Sequence, residues 1–296
     1  MAKIKYTLEY HPTGKILEGK KAKNNYVYGF AYDKLLYKGK TKYQNIELYD
    51  TPWLGKLLKL DGYFQTSEKD EFFYHEAMTH PAMFTHPKPQ KILIIGGGDC
   101  GILKNILLHK TVKKVIMVEI DREVIEFSRK YLNFVNNGSY KSKRAKIIIG
   151  DGKKFVKKTK EKFDVIISDL TDPAGLSKAL YTTSFYKTVV KHLNKNGIFM
   201  THLDMVFTRP ELSKWVYKNL KSVFKFCAPI VSYVPLYGTL MAFSINSNFI
   251  NASKIKAQLV EKRLKARGVK NLKWYSPKMH EAIFALPPYL EKLFKI

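Results

Sequence analysis

Residues 91–110 read KILIIGGGDCGILKNILLHK. An apolar run, Ile92 to Ile95, enters a glycine turn, and a helical pattern follows at once. Outward from here the same alternation repeats. VIMVEID (115–121) precedes the helical REVIEFSRKYL, KIIIGD (146–151) and DVIISD (164–169) are strands, and TTSFYKTVVKHL (182–193) is helical. GIFMTHL (197–203) is a strand and RPELSKWVYKNLKSVF (209–224) is helical. Strands alternating with amphipathic helices specify an α/β fold, a doubly wound, mostly parallel sheet.

Before this region the pattern differs. IKYTLEY, NYVYGFAY, KLLYKG, NIELYD and LLKLDGYF are short, rich in aromatic and β-branched residues, and separated by turn residues. Pro52 and Gly55 in DTPWLG mark one such turn. Residues 1–66 are therefore expected to form a small antiparallel β domain, and 67–296 the α/β domain. SEKDEFFYHEAMTH (67–80) opens with a Ser cap and first-turn acids, which favours a helix start. The basic segment ASKIKAQLVEKRLKARG (252–268) reads as one amphipathic helix with a solvated face over an apolar stripe.

Composition narrows the function classes. No run approaches the ~18 apolar residues of a membrane span, and the first residues lack the apolar run of a signal peptide. Two cysteines, Cys100 and Cys227, lie far apart without metal-like spacing, which fits a reduced, cytoplasmic setting and no metal site. Lys and Arg number 52 against 25 Asp and Glu, for a net charge of +27. Such a charge raises nucleic-acid binding as a function. The lysines are spread along the whole chain, however, as on a solvated surface.

In an acid-poor chain, the positions of the acids are informative. In an open parallel sheet, ligands bind beyond the carboxyl ends of the strands. Asp99 follows the first strand of the α/β region, Glu119 the second, Asp151 the third, and Asp169 with Asp172 the fourth. A lone acid after a strand is often a helix cap, and Asp151 before GKKF fits that role. The full set instead makes a negative pocket suited to a cationic ligand. Gly96, Gly98 and Gly101 match G-x-G-x-x-G, with Glu119 placed to bind ribose hydroxyls. Asp99 would repel a pyrophosphate, so the spacing points to an adenosine without phosphate, such as a sulfonium nucleoside. An alkyl amine, with a pKa of about 10.4, must lose a proton before it attacks. Asp169 is placed to accept that proton, and Asp172 to hold a second ammonium.

These residues carry a family likeness. KYQNIELYDT, LLKLDGYFQTSEKDEFFYHE, HPKPQKILIIGGGDCG, DVIISDLTDP and WYSPKMHEAIFALP, in this order, resemble the segments of the spermidine/spermine synthase family, the polyamine aminopropyltransferases. The resemblance implies a Rossmann-like, methyltransferase-type fold. It implies transfer of an aminopropyl group from decarboxylated S-adenosylmethionine, a co-substrate rather than a resident cofactor, to a polyamine acceptor, with release of methylthioadenosine. By the same likeness Asp99 binds the aminopropyl amine, Glu119 the ribose, Asp151 and Gly152 the adenine, and Gln44 the nucleoside. Gly96 and Gly98 form the nucleoside loop. Asp169 is the proton acceptor beside Tyr74, and Asp172 holds the acceptor.

The departures fall mainly on the acceptor side. His75 and His202 stand where Gln is common, Tyr237 is matched to a substrate tyrosine in the acceptor loop VPLYGTLMAF (234–243), and Cys100 replaces a glycine. The YHE triplet and DLTDP look most like the thermospermine-synthase and thermophile branch. A homo-oligomer, dimer or tetramer, is implied as well. Two alternatives compete with this reading. One is a methyltransferase that uses intact S-adenosylmethionine, whose carboxylate Asp99 would repel. The other is a basic nucleic-acid-binding protein that keeps a vestigial pocket.

Overall fold

A computed structural model describes residues 4–13, 23–173 and 177–296. Strands β1 (Lys5–Thr13) and β2 (Lys23–Tyr32) pair antiparallel. Strands β3 (Lys34–Lys40), β4 (Asn45–Thr51), β5 (Gly55–Leu60) and β6 (Tyr63–Ser67) form a four-stranded antiparallel sheet. The DTPWLG turn joins β4 to β5, with Gly55 at φ +70°. LLKLDGYF, read as one strand, is instead two. Asp61 and Gly62 both adopt positive φ and turn the chain back on itself, as an Asp-Gly pair favours.

Helix α1 (Glu71–Thr85) follows. Its N-cap is Asp70, not Ser67. Ser67 still belongs to β6 and donates its hydroxyl to Asp70. The second Asp70 oxygen takes the Leu236 amide at 2.6 Å, so this carboxylate ties the helix start to a distant turn instead of capping it.

The main sheet has seven strands: β7 (Lys91–Gly96), β8 (Lys114–Glu119), β9 (Ala145–Ile149), β10 (Phe163–Asp169), β11 (Leu193–Met205), β12 (Phe226–Val234) and β13 (Thr239–Ser247). Their spatial order is β12-β13-β11-β10-β7-β8-β9. All pairings from β9 to β11 are parallel, while β13 runs antiparallel to both β11 and β12. This is the mostly parallel, methyltransferase-like arrangement. Order reverses between β7 and β10, and there the strand ends open a crevice.

Alternation along β7 explains the layers. Ile92 and Ile94 join one core cluster, which includes α1, while Leu93 and Ile95 join the other, so both faces are covered. The first face carries α1 and α2 (Gly101–Leu107). The remaining helices are α3 (Arg122–Tyr131), α4 (Asn133–Asn136), α5 (Gly152–Lys158), α6 (Thr183–Lys191), α7 (Pro210–Lys221), α8 (Ala257–Arg267), α9 (Pro277–Ala282) and α10 (Pro288–Phe294).

Two further expectations are corrected. Residues 252–268 are not one helix: a single 3₁₀ turn at Ala252–Lys254 precedes α8, whose Val260 and Leu264 pack on Phe84 and Tyr275. The segment VPLYGTLMAF is only briefly a loop. Pro235–Tyr237 form one 3₁₀ turn, Gly238 takes φ +62°, and Thr239 already belongs to β13. The β12–β13 hairpin hides in sequence because a single 3₁₀ turn joins its strands and no helix intervenes. Among the described residues no helix is long and apolar enough to cross a membrane.

Candidate active site

The glycine turn after β7 sets the geometry. Gly96 and Gly97 adopt φ +83° and +78°, which side chains disfavour. A Cβ on Gly96 would lie 2.0 Å from the Asp169 carbonyl oxygen, and that same oxygen accepts the Gly97 amide at 3.0 Å. The end of β10 is thus locked against the turn. Cys100 also sits at positive φ, +63°, which accounts for glycine being common there. Its thiol is buried and pushed up to about 12 by that burial and by Asp99, so it packs rather than reacts.

Asp99 lies in the turn with Oδ1 accepting from the Gly101 amide and Oδ2 3.1 Å from His75 Nε2. The other ring nitrogen of His75 meets Glu71 at 2.7 Å, and Glu71 also accepts from Lys104. Burial opposes a charge on His75, but Asp99 and Glu71 outweigh it and push the imidazole up to about 10. In turn, burial opposes the charge of Asp99, while the His75 imidazolium and the Gly101 amide hold it below the ordinary carboxylate range. His75 was expected to touch substrate. In the structure both of its ring nitrogens lie against acids, Glu71 and Asp99.

Asp169 Oδ1 accepts the Tyr74 hydroxyl at 2.8 Å. Burial, reinforced by Asp99, pushes the Asp169 carboxyl up to about 6, against the pull of His75 and Tyr74. That is near the value a general base needs at neutral pH. The Tyr74 ring faces Tyr237, with centroids 6.2 Å apart. The Tyr237 hydroxyl donates to the Gln65 carbonyl at 2.8 Å, and its ring meets Tyr74 edge-on.

At the end of β8, Glu119 accepts the Asp121 amide, and burial pushes Glu119 up to about 7 with that amide pulling against it. Gln44 donates to Asp121 at 3.1 Å, beside Thr41 at 2.6 Å, and this brings the β3–β4 connection to the β8 end. Asp121 escaped sequence reading, although the string Glu119-Ile120-Asp121 held the signal. Asp151 performs the cap expected of a lone acid: Oδ1 accepts the Lys154 amide at 3.1 Å. Gly152 approaches β7 closely, since a Cβ there would meet Ile95 at 2.4 Å.

His202 is buried, with Nε2 2.9 Å from the Leu170 carbonyl and also against the Tyr181 hydroxyl. Burial pushes it down to about 4, so it is neutral and braces the segment after Asp169. Asp172 is paired with Arg209 at 2.6 Å, a partner absent from the sequence reading. Its only sequence signal was an arginine before a Pro-initiated helix.

The acids at the four strand ends therefore do not behave alike. Asp99 is held below the ordinary carboxylate range, Asp169 is pushed up to about 6 and Asp151 caps a helix. Residues 71–257 match the Spermine/spermidine synthase domain and residues 21–68 the Spermidine synthase tetramerisation domain. The chain belongs to the spermine/spermidine synthase family. Members of this family similar to it include a polyamine aminopropyltransferase of Thermococcus onnurineus, 39% identical over 97% of this chain and 96% of that one. Another, of Buchnera aphidicola, is 41% identical over 88% and 91%. Among solved structures, Thermotoga maritima spermidine synthase superposes with a TM-score of 0.87 at 34% identity, covering 98% and 94% of the two chains. A spermidine synthase in complex with the transition state analogue AdoDATO superposes with a TM-score of 0.86 at 32% identity over the same shares.

Proposed function

We propose that this chain is an aminopropyltransferase that moves the aminopropyl group of decarboxylated S-adenosylmethionine to an amine and releases methylthioadenosine. Family membership over most of the chain supports it. The observation that carries it is the anionic Asp99, clamped by His75 in the glycine turn, beside a base-like Asp169. An acid there suits a donor whose tail is purely cationic and disfavours one that keeps its carboxylate.

The step is an in-line displacement. The amine nitrogen bonds to the carbon next to sulfur, the carbon–sulfur bond breaks, and its electron pair neutralises the sulfonium. The proton of the amine passes to Asp169, oriented by Tyr74. Asp99 holds the donor's amine, Glu119 the ribose, and Gln44 acts through the Asp121 side of the same pocket. Asp151 and Gly152 flank the adenine, next to the Gly96 and Gly98 turn. Tyr237 and Asp172 border the acceptor, and His202 keeps the segment after Asp169 in place. Fixing both reactants in line supplies much of the rate.

The N-terminal match supports a homo-oligomer. Tyr6 and Tyr10, on one face of β1, are 59% and 50% exposed, an apolar surface suited to assembly. We divide the chain into an assembly unit, 1–66, and a catalytic unit, 67–296, a boundary close to where the N-terminal family match ends, at 68, and the second begins, at 71. We assign it to the cytoplasm, where free thiols such as Cys100 and Cys227 persist.

The test is methylthioadenosine release from decarboxylated S-adenosylmethionine with a panel of amines, with intact S-adenosylmethionine as control. Amine-dependent release is the expected result. No release with any amine, or turnover of the intact donor only, overturns the proposal.

A further inference from the structure

The chain leaves β10 at Asp169, and the next residues, Leu170 to Asp172, belong to no strand or helix. Their carbonyls are nevertheless taken one after another. Asp169 accepts the Gly97 amide at 3.0 Å, and Leu170 lies 2.9 Å from His202 Nε2. Thr171 accepts the Tyr181 hydroxyl at 3.0 Å, and Asp172 accepts the Ser177 hydroxyl. Buried backbone acceptors need partners of some kind. A donor carried on a fixed side chain also dictates where its carbonyl points.

His202 and Tyr181 serve the middle two carbonyls. The parallel register sets Ser168 opposite Thr201, so His202 leaves β11 beside Asp169. Tyr181 stands just before α6, and Asn219 of α7 donates to its carbonyl at 3.0 Å. Both side chains are buried, and their rings meet edge-on with centroids 5.4 Å apart.

The hydrogens follow by elimination. A carbonyl oxygen only accepts, so His202 Nε2 carries the hydrogen that faces Leu170. The same nitrogen touches the Tyr181 hydroxyl. The hydroxyl oxygen therefore accepts there, and its own hydrogen goes to Thr171. Nδ1 is left bare, and among the described residues it has no partner. A proton on Nδ1 would be buried without an acceptor, which selects the neutral Nε2–H ring.

We propose that Tyr181 is a positioning residue for the transfer, acting with His202 through a hydrogen-bond chain of fixed direction, from His202 Nε2 to the Tyr181 oxygen and from the Tyr181 hydroxyl to the Thr171 carbonyl. The chain fixes the two peptide groups that separate Asp169 from Asp172. It thereby sets where the acceptor's second ammonium lies relative to the proton acceptor. The inference rests on the aminopropyltransferase reading and adds to it a residue that the sequence did not single out. Position matters at this scale, because a shift of about 1 Å can cost about 10²-fold in rate.

Two measurements test it. Histidine nitrogen NMR shifts of the resting enzyme, with the His202 signals assigned by their loss in His202→Gln, should show a neutral Nε2–H ring. Tyr181→Phe deletes only the hydroxyl. At saturating donor it should lower kcat/KM for the amine that wild type uses best by about tenfold to a hundredfold, with methylthioadenosine affinity held within about twofold. His202→Leu should lose as much, and His202→Gln, which keeps an N–H donor, should recover part of that loss. A ring protonated at Nδ1, an amine kcat/KM unmoved by Tyr181→Phe, or an equal loss of methylthioadenosine affinity overturns this inference alone. No turnover with any amine in the wild type overturns the aminopropyltransferase reading and the positioning role with it. The ring state is read without turnover, so the two failures stay distinct.

Discussion

Helix α1 carries two buried histidines, His75 and His80, that hold opposite protonation states. His75 lies between Glu71 and Asp99 and is held as an imidazolium, up to about 10. His80 is pushed down to about 3 by burial, with Asn105 as its hydrogen-bond partner and His109 3.1 Å away. Burial penalises charge in both, so depth in the protein does not decide the outcome. Their neighbours do. The first half of the helix serves the cleft, through Glu71, Tyr74 and His75. The second half serves packing, where Phe84 stacks on Tyr275, and Arg267 donates to the carbonyls of Met83, His86 and Pro87. Glu76 adds to the structural side: its carboxylate takes the amides of Lys273, Trp274 and Tyr275.

Substitutions on the two sides should separate cleanly. Asp169→Asn removes the group that Tyr74 orients and should lower turnover by about 10²–10⁴ without a matching loss of thermal stability. Similar losses in turnover and melting temperature would erase the distinction. At the packing end, Phe84→Ala should cost about 3–5 kcal/mol in a denaturant titration while leaving kcat of the folded fraction near wild type. A large fall in kcat would show that the packing half reaches the chemistry.

Glu71→Gln tests the charged histidine. Losing a charge-assisted hydrogen bond, worth roughly 1.5–3 kcal/mol, should loosen Asp99 and raise the donor's KM about tenfold to a hundredfold. An unchanged donor KM would mean that Asp99 needs no help from His75. Acidification gives a smaller, graded effect on activity. Asp169 is pushed up to about 6, so kcat/KM should fall as pH drops through that value and the base takes up a proton. With the cationic donor bound, the inflection in kcat should lie at lower pH.

Stability carries its own pH signature. His80 is lowered to about 3, and His86 and His280 to about 4, each by burial first. Below about 6.5 the unfolded chain binds protons that these folded histidines refuse, so stability present above that value is lost as pH falls. His75 runs the other way: it stabilises below about 6.5 and loses that contribution as pH rises toward 10. The melting temperature should therefore drop by a few degrees between pH 7 and pH 5, and His80→Asn should flatten the drop. A flat profile in wild type would contradict the neutral state of these side chains.

Sequence made the donor side more legible than the acceptor side, for a physical reason. The acidic groups on the donor side follow parallel strands, so one local rule, acids beyond strand ends, located Asp99, Glu119 and Asp169 together. The surroundings of Asp172 are assembled from segments distant in the chain. Arg209, the ion-pair partner of Asp172, precedes α7, and Asp204, on the other side of the guanidinium, depends on a register slip between β11 and β13. A register slip is set by pairing across the sheet and leaves no periodic trace in a single strand. Gln44 was found only by likeness. What holds it, Asp121, lies two residues beyond Glu119, which was already singled out, and was overshadowed by it. The misread hairpin at Asp61-Gly62 was a local signal passed over inside an apolar run.

The close approach of Gly96 to the Asp169 carbonyl fuses the nucleoside loop and the proton acceptor into one mechanical piece. Neither can be redesigned without displacing the other. Asp172 is tied instead through side chains, by its ion pair with Arg209, a contact that substitution can remake without moving the backbone. Over evolutionary time, or in a directed-evolution campaign, what is donated should stay fixed while what receives it drifts.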